Sequence, residues 1–227
     1  MKRSDVLNTL DELIQSRSIL GHPFYVAWER GELTPEQLAT YARMYYPHVQ
    51  AFPGYLKAVI AGSSDAETRE ELSKNLADEL SEPKTHPELW LDFAQAVGVN
   101  SEQLQAETPA DSTRSVIAVF TELTNRSVTS GLSALYAYES QQPEVSKRKM
   151  KGLCELYGIE SSEALEYFST HATADVEHRE GERKALARCL ESGVSEDEIY
   201  HSASTALDAY WKLLDGVCEV ADVRVSS

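Results

Sequence analysis

Apolar residues recur at helical spacing along almost the whole chain, and this periodicity constrains the fold more than any other feature of the sequence. Leu7, Leu10 and Ile14 form the first such stripe. Similar stripes follow it, and no segment shows the alternation that is typical of a half-buried strand. The segment from Thr34 to Gln37 is a typical helix start, with a capping threonine, a proline and an early acidic residue. We therefore predict an all-α fold.

The breaks between the helical stretches are short, and this bears on the domain organisation. We predict a first helix that ends near Leu20 and a long helical stretch from Pro109 to Gln141, broken near Gly131. The chain has no internal repeat and no linker long enough to separate domains. Its 227 residues therefore predict one domain, residues 1–227, in which seven or eight helices pack as a single compact bundle.

The charge and the cysteine content argue against several classes of protein. The net charge is −16, so we expect no nucleic-acid binding and no attraction to anionic membranes. No apolar run reaches the roughly eighteen residues of a transmembrane helix, and Met1 to Asp5 lead into no signal-peptide core. The cysteines Cys154, Cys189 and Cys218 include no CxxC pair. We therefore expect a cytoplasmic protein with reduced cysteines.

The most informative motif is formed by His171, Asp175 and His178. On an α-helix, residues at positions i, i+4 and i+7 lie within about 60° of one another around the axis. The three side chains therefore share one face, and a carboxylate between two imidazoles suits a transition metal. The alternative interpretation is a solvated polar stripe on an acidic helix.

Two further elements strengthen the metal hypothesis. Glu79 and His86 are also seven residues apart, but Pro83 lies between them, so they point inward together only if the helix bends there. The alternative is a charged helix end followed by a loop histidine. Glu139 stands in an apolar, aromatic segment, and a buried carboxylate there needs a partner or a cation. The alternative places Glu139 on the polar side of its helix.

Together these motifs supply three carboxylates and three imidazoles. The candidate metal ligands are Glu79, His86, Glu139, His171, Asp175 and His178. Two divalent ions bring four positive charges, which three carboxylates largely offset, and the remaining coordination positions stay open for O₂ or substrate. Such a donor set suits iron and manganese, whereas zinc sites favour thiolates or more imidazole. We predict a dinuclear, O₂-activating centre that holds Fe/Fe or Mn/Fe, although Mn/Mn also fits the ligands.

The order of these motifs resembles a known family. Glu-x₆-His, then a glutamate after Tyr-x-Tyr, then His-x₃-Asp-x₂-His is similar to the haem-oxygenase-like di-metal oxidases. The chain most resembles the subgroup that contains the chlamydial death-domain-associating protein and its bacterial relatives. The matching segments follow in order and cover His22–Trp28, Gly31–Leu38, Tyr45–His48, Ala51–Leu56 and Ala137–Gln141.

The resemblance implies a haem-oxygenase-like bundle that makes para-aminobenzoate (4-aminobenzoate), a folate precursor, from its own side chains. In that subgroup a tyrosine supplies the aromatic ring and a lysine is implicated as amino donor. The matching positions are Tyr25 and Lys149, with Lys147 and Lys151 as alternative donors. Tyr41 matches a second family tyrosine that is implicated in relaying an electron or radical. The resemblance further implies O₂ and an external reductant as co-substrates, and a homodimer.

Position alone supports a plainer interpretation of these three residues. Lys149 lies on an apolar stripe with Val145 and Leu153, where the favoured interpretation is a lysine that snorkels to water. The alternative is a desolvated lysine with a lowered pKa and a reactive free amine. Tyr25 and Tyr41 are expected to pack in the core, and their chemical roles rest on the resemblance.

Three other functions stay open from the sequence. A di-metal oxidase that acts on a free small molecule would use the same ligands. A death-domain-type interaction protein would need none of them; an acidic surface favours a basic partner, but no sequence feature identifies one. A thiaminase of the same broad helical fold would need a nucleophilic cysteine.

Overall fold

A computed structural model describes residues 3–224 of the chain, and every regular element within them is a helix. The α-helices are α1 (Arg3–Ser16), α2 (Pro23–Glu29), α3 (Pro35–Gly62), α4 (Ala66–Glu79), α5 (His86–Ala96), α6 (Ser101–Ala106), α7 (Asp111–Arg126), α8 (Val128–Glu139), α9 (Gln142–Leu156), α10 (Ser162–Glu191) and α11 (Glu196–Val220). The all-α prediction is confirmed, with more and shorter segments than the seven or eight expected. In this part of the chain no helix has the length and apolar content needed to cross a membrane.

The break in the long stretch after Pro109 lies at Ser127 rather than near Gly131. Ser127 is extended (φ −160°, ψ 160°) and its side chain accepts a hydrogen bond from the Ser130 amide, so it separates α7 from α8. Gly131 lies inside α8 at a close approach to α3, where an added Cβ would lie 2.4 Å from Val59 Cγ2. The glycine therefore permits close packing and does not end a helix.

The end of α1 and the length of α3 depend on local features of the chain. The first helix ends at Ser16, before the expected end near Leu20, because Ser18 caps a separate 3₁₀ turn. Helix α3 continues through Pro47 and Pro53 to Gly62 without a break. The buried face of α3 compensates for the backbone hydrogen bonds that the two prolines remove.

Helix α10 lies at the centre of the region that holds the predicted ligands. It packs against α4, α5, α8 and α9, and α3 in turn packs against α4, α5 and α8. Helix α11 closes the bundle against α7 and α8. All six candidate metal ligands lie on four of these helices, α4, α5, α8 and α10.

Helices α2 and α9 approach each other closely at Gly152. An added Cβ at Gly152 would lie 2.6 Å from Trp28 Nε1, and this indole nitrogen donates a hydrogen bond of 3.4 Å to the Lys149 carbonyl oxygen. We expect Gly152→Ala to lower the free energy of unfolding by about 1–3 kcal/mol, since the indole must move. Urea denaturation measures this change.

A matched control for this substitution is Gly54→Ala. Gly54 is an exposed residue inside α3, and no described atom lies within 4 Å of its added Cβ. Alanine is the better helix former by about 1 kcal/mol, so Gly54→Ala is expected to stabilise the protein. If Gly152→Ala were as stable as the wild type, the close contact between α2 and α9 would be refuted.

Candidate dinuclear metal centre

The candidate ligands lie where helix ends meet the middle of α10. Glu79 is the last residue of α4, His86 the first residue of α5, and Glu139 the last residue of α8. The chain leaves helical geometry between Glu79 and His86, around Pro83, and both side chains then face α10. The bend that the sequence requires for this pair is therefore present.

Glu79, His86 and His171 form the first of two buried groups. One ligand atom from each residue lies within 4.8 Å of the others. His86 Nδ1 is 2.9 Å and His171 Nε2 is 3.8 Å from Glu79 Oε1. Despite its short contact, His86 Nδ1 has no well-aligned hydrogen-bond partner among residues 3–224. This nitrogen is therefore available as a metal ligand beside Glu79.

Glu139, Asp175 and His178 form the second buried group, with the same 4.8 Å limit between ligand atoms. His178 Nδ1 is 3.1 Å from Asp175 Oδ1 and 3.7 Å from Glu139 Oε1. Glu139 is only 2% exposed, so its expected burial is confirmed. Asn75 Nδ2 donates to both oxygens of Glu139, at 2.9 and 3.1 Å, and orients this carboxylate.

Hydrogen bonds outside the two groups orient two of the imidazoles. His171 Nδ1 lies 2.7 Å from the Tyr167 carbonyl oxygen, and His178 Nε2 lies 3.0 Å from Asp78 Oδ2. Carbonyl and carboxylate oxygens accept hydrogen bonds, so these two nitrogens carry the hydrogens. His171 Nε2 and His178 Nδ1 then face the buried carboxylates. Orientation of this kind is typical of metal-binding histidines.

The ionisable groups strongly perturb one another. Burial raises the pKa of Glu79, but His171 and His86 outweigh this effect and lower it to about 2. Burial lowers the pKa of His171, but the Asp175 charge and Glu79 outweigh this and raise it to about 8. Burial likewise lowers the pKa of His178, but Asp175 and nearby acids raise it to about 9. Without ions, His171 and His178 therefore hold protons that metal binding displaces.

The two groups open onto one small cavity. Its lining residues are Val49, Phe52, Glu79, Tyr138, Glu139, Tyr167, His171 and Asp175. Both groups therefore belong to a single site with apolar and aromatic walls. The site therefore offers two buried, preoriented sets of carboxylate and imidazole donors, and such donors suit a pair of divalent ions.

A second buried cluster lies on α9, and it corrects the expectation that Lys149 snorkels to water. Lys149 is 2% exposed, and no ion pair joins it to a carboxylate in the described part of the chain. Its Nζ donates a 2.5 Å hydrogen bond to Tyr41 Oη, which lies 3.4 Å from Tyr25 Oη. We call Lys149, Tyr25 and Tyr41 the lysine–tyrosine cluster.

Aromatic rings surround the amine and explain why it does not reach water. The Nζ atom lies 5.0–5.9 Å from the ring centres of Tyr25, Tyr41, Tyr45, Trp90 and Phe168. Burial lowers the pKa of Lys149 well below its usual value and raises the pKa values of Tyr25 and Tyr41 well above theirs. The cluster therefore favours a neutral amine beside neutral phenols.

Two tyrosines for which the sequence predicts no role connect this cluster to the candidate centre. The ring centres of Tyr41 and Tyr45 are 5.3 Å apart, and Tyr45 Oη lies 2.7 Å from Tyr138 Oη. Tyr138 precedes Glu139 and lines the cavity. We call Tyr41, Tyr45 and Tyr138 the tyrosine chain. The only sequence signal for it is that Tyr138 adjoins a candidate ligand.

The cysteines do not support thiaminase chemistry. Burial raises the pKa of the Cys189 thiol, and it raises that of Cys218 to about 11, so neither thiol forms a thiolate easily. Within residues 3–224 no cysteine lines the cavity.

Comparison with known proteins connects the site to a family. A family model described as "Iron-containing redox enzyme" matches residues 39–211. A 4-aminobenzoate synthase of Chlamydia muridarum is 41% identical over 216 residues, which are 95% of this chain and 91% of the relative. A 4-aminobenzoate synthase of Nitrosomonas europaea is 38% identical over 220 residues, with 92% and 89% covered.

A solved structure confirms the fold. A domain of unknown function with a heme oxygenase-like fold, from Shewanella denitrificans, matches with a TM-score of 0.79 and 15% sequence identity. The match covers 98% of this chain and 94% of that chain. The haem-oxygenase-like bundle implied by the sequence motifs is therefore confirmed.

Proposed function

The chain belongs to the iron-containing redox enzymes of haem-oxygenase-like fold, and we propose that it makes 4-aminobenzoate from its own side chains at a dinuclear metal centre. The observation that carries this proposal is the buried Lys149 amine, hydrogen-bonded to Tyr41 beside Tyr25. The names of the two relatives described above support the identity of the product.

The metal ions have one set of candidate ligands each. Glu79, His86 and His171 hold one ion, and Glu139, Asp175 and His178 hold the other. Bound ions supply oxidising power by activating O₂ with electrons from an external reductant. The donor set suits Fe/Fe or Mn/Fe.

The tyrosine chain connects the centre to the residues that react. Burial raises the pKa values of Tyr45 and Tyr138 well above their usual range, so both phenols keep their protons at rest. A phenol that loses an electron becomes strongly acidic and passes its proton to a hydrogen-bonded neighbour. The 2.7 Å contact between Tyr45 Oη and Tyr138 Oη supports this role, and Tyr41 continues the path to Tyr25.

Lys149 is the amino donor in this proposal. A neutral amine has the free lone pair that C–N bond formation with an oxidised ring requires, and burial favours that neutral form. In this step the phenol oxygen leaves as water, and release of the product also breaks the Nζ–Cε bond of the lysine and the Cα–Cβ bond of the tyrosine, with O₂ as the oxidant. The hydrogen bond to Tyr41 holds the nitrogen among the rings that surround it. The neighbouring Lys147 and Lys151 are exposed, and their exposure favours Lys149 over both.

A single-turnover experiment tests the proposal. The protein is loaded anaerobically with Fe(II), with or without Mn(II), and then receives reductant and O₂ without any other substrate. We expect no more 4-aminobenzoate molecules than protein chains, with ring atoms that derive from labelled protein tyrosine. If metal bound and O₂ were consumed while Tyr25 and Lys149 stayed intact and no product formed, the enzyme would be an oxidase of a free small molecule.

A further inference from the structure

Helix α10 carries a second buried acid, Glu182, in line with its candidate ligands His171, Asp175 and His178. Glu182 lies four residues after His178 and seven after Asp175, so all three side chains project from one face of the helix. Glu182 is 1% exposed. The sequence motif ends at His178, and the charged residues that follow it suggest a solvated helix surface, so sequence reasoning missed Glu182.

The Glu182 carboxylate has acids beside it and no donor to compensate for its burial. It lies against Glu139, and the charge of Asp175 also acts on it. Neither Glu182 Oε1 nor Oε2 has a well-aligned hydrogen-bond donor among the residues that the structure describes. Asp175 Oδ2 is similarly unpartnered there. A buried, unpaired carboxylate is costly, and a cluster of them calls for a cation.

We propose that Glu182 is an additional ligand of the ion held by Glu139, Asp175 and His178. This inference rests on the proposed dinuclear centre and extends it. With Glu182 the centre contains four carboxylates, whose charge balances that of two divalent ions. The ion beside Glu182 then has three carboxylates and one imidazole as ligands, a donor set that suits Mn(II) or Fe(II).

The surface near Glu182 offers an approach for cations. Glu182 and His178 lie at a surface cleft whose other charged lining residues are the acids Glu71, Asp78, Glu177 and Glu180 and the lysines Lys74 and Lys184. The acids outnumber the lysines, so the cleft attracts divalent ions from solvent, and it leads to His178 and Glu182. An ion therefore reaches this position without crossing the aromatic core.

Anaerobic Mn(II) titration of the full chain tests the role of Glu182. We expect the wild type to bind two ions, and Glu182→Gln to bind one of the two at least about tenfold less tightly. Glu182→Asp keeps the charge but withdraws the oxygens, so it is expected to lose affinity as well. The matched control is Glu166→Gln, which removes an exposed acid of the same helix away from the cleft and is expected to bind as the wild type does.

Thermal unfolding separates a ligand from a merely structural residue. Metal-free Glu182→Gln is expected to be at least as stable as the metal-free wild type, because the glutamine side chain is neutral and its amide can donate to the neighbouring Glu139. Its melting temperature should rise less than that of the wild type when Mn(II) is added, because weaker binding stabilises the folded state less.

The two proposals fail in distinguishable ways. If the wild type bound two ions and Glu182→Gln matched it in affinity and thermal shift, Glu182 would not be a ligand. If Glu182→Asp bound Mn(II) with wild-type affinity, only the charge of Glu182 would matter, and its oxygens would not be ligands. If the wild type bound no ion, the dinuclear centre itself would be overturned.

Discussion

Replacing Tyr25 with phenylalanine is expected to abolish 4-aminobenzoate formation while the protein still binds metal and consumes O₂. Tyr25 is 1% exposed, and its Oη lies 3.4 Å from Tyr41 Oη. Phenylalanine fills nearly the same space, so the bundle stays folded. It lacks the phenol that the proposed oxidation requires. Mass spectrometry of the product and of the Tyr25 peptide, after one round with reductant and O₂, measures the effect.

The control for Tyr25→Phe is Tyr55→Phe. Tyr55 is also buried, but its hydroxyl contacts His48 Nδ1 at 3.3 Å and lies outside the lysine–tyrosine cluster. We expect Tyr55→Phe to form product at the wild-type yield. Full product yield from Tyr25→Phe would show that the ring comes from another source, and the self-consuming mechanism at this residue would be rejected.

Lys149→Met is expected to eliminate the product and to stabilise the protein. Methionine is similar to lysine in length, and its thioether suits the apolar surroundings of this position. In protein labelled with ¹⁵N at the lysine ε-position, the wild type should transfer the label to 4-aminobenzoate. Lys147→Met, which alters an exposed neighbour, should keep product formation. Unlabelled product from the labelled wild type would exclude lysine as the donor.

The gain in stability from Lys149→Met is expected to depend on pH. Burial holds the pKa of folded Lys149 well below its value of about 10.5 in the unfolded chain. Below pH 10.5 the unfolded wild type binds a proton that the folded form does not, so wild-type stability falls as pH decreases towards the folded pKa. Each unit of pKa difference corresponds to about 1.4 kcal/mol. Urea denaturation near pH 7 and near pH 10 should show a larger advantage of the variant at the lower pH.

Local periodicity predicts part of the candidate site from the sequence. His171, Asp175 and His178 lie on one helix, so their spacing alone places them on a common face. Glu79 and His86 belong to different helices, and their convergence depends on the path of the chain around Pro83. No local rule determines that path, so only the structure shows that the two side chains converge.

Burial of the charged residues is a property of the surrounding helices and not of their own segments. Lys149 and Glu182 both occur in polar stretches where exposure is the ordinary expectation. Packing of α9 against α2 and α10 encloses Lys149, and packing of α10 against α4 and α8 encloses Glu182. The same limit applies to the tyrosine chain, whose members come from α3 and α8 and meet only in the folded protein.

The burial of Tyr25 has a consequence for the fate of a used chain. Tyr25 belongs to the seven-residue helix α2, and its ring packs against Phe24 within the core. A chain that gives up this ring retains a void of aromatic size, and losses of that kind cost about 3–5 kcal/mol. A typical domain has only about 5–15 kcal/mol of stability, so the spent chain unfolds far more often and becomes accessible to proteases. Under the proposed self-consuming mechanism, the rate at which ribosomes replace the protein would then set the supply of 4-aminobenzoate.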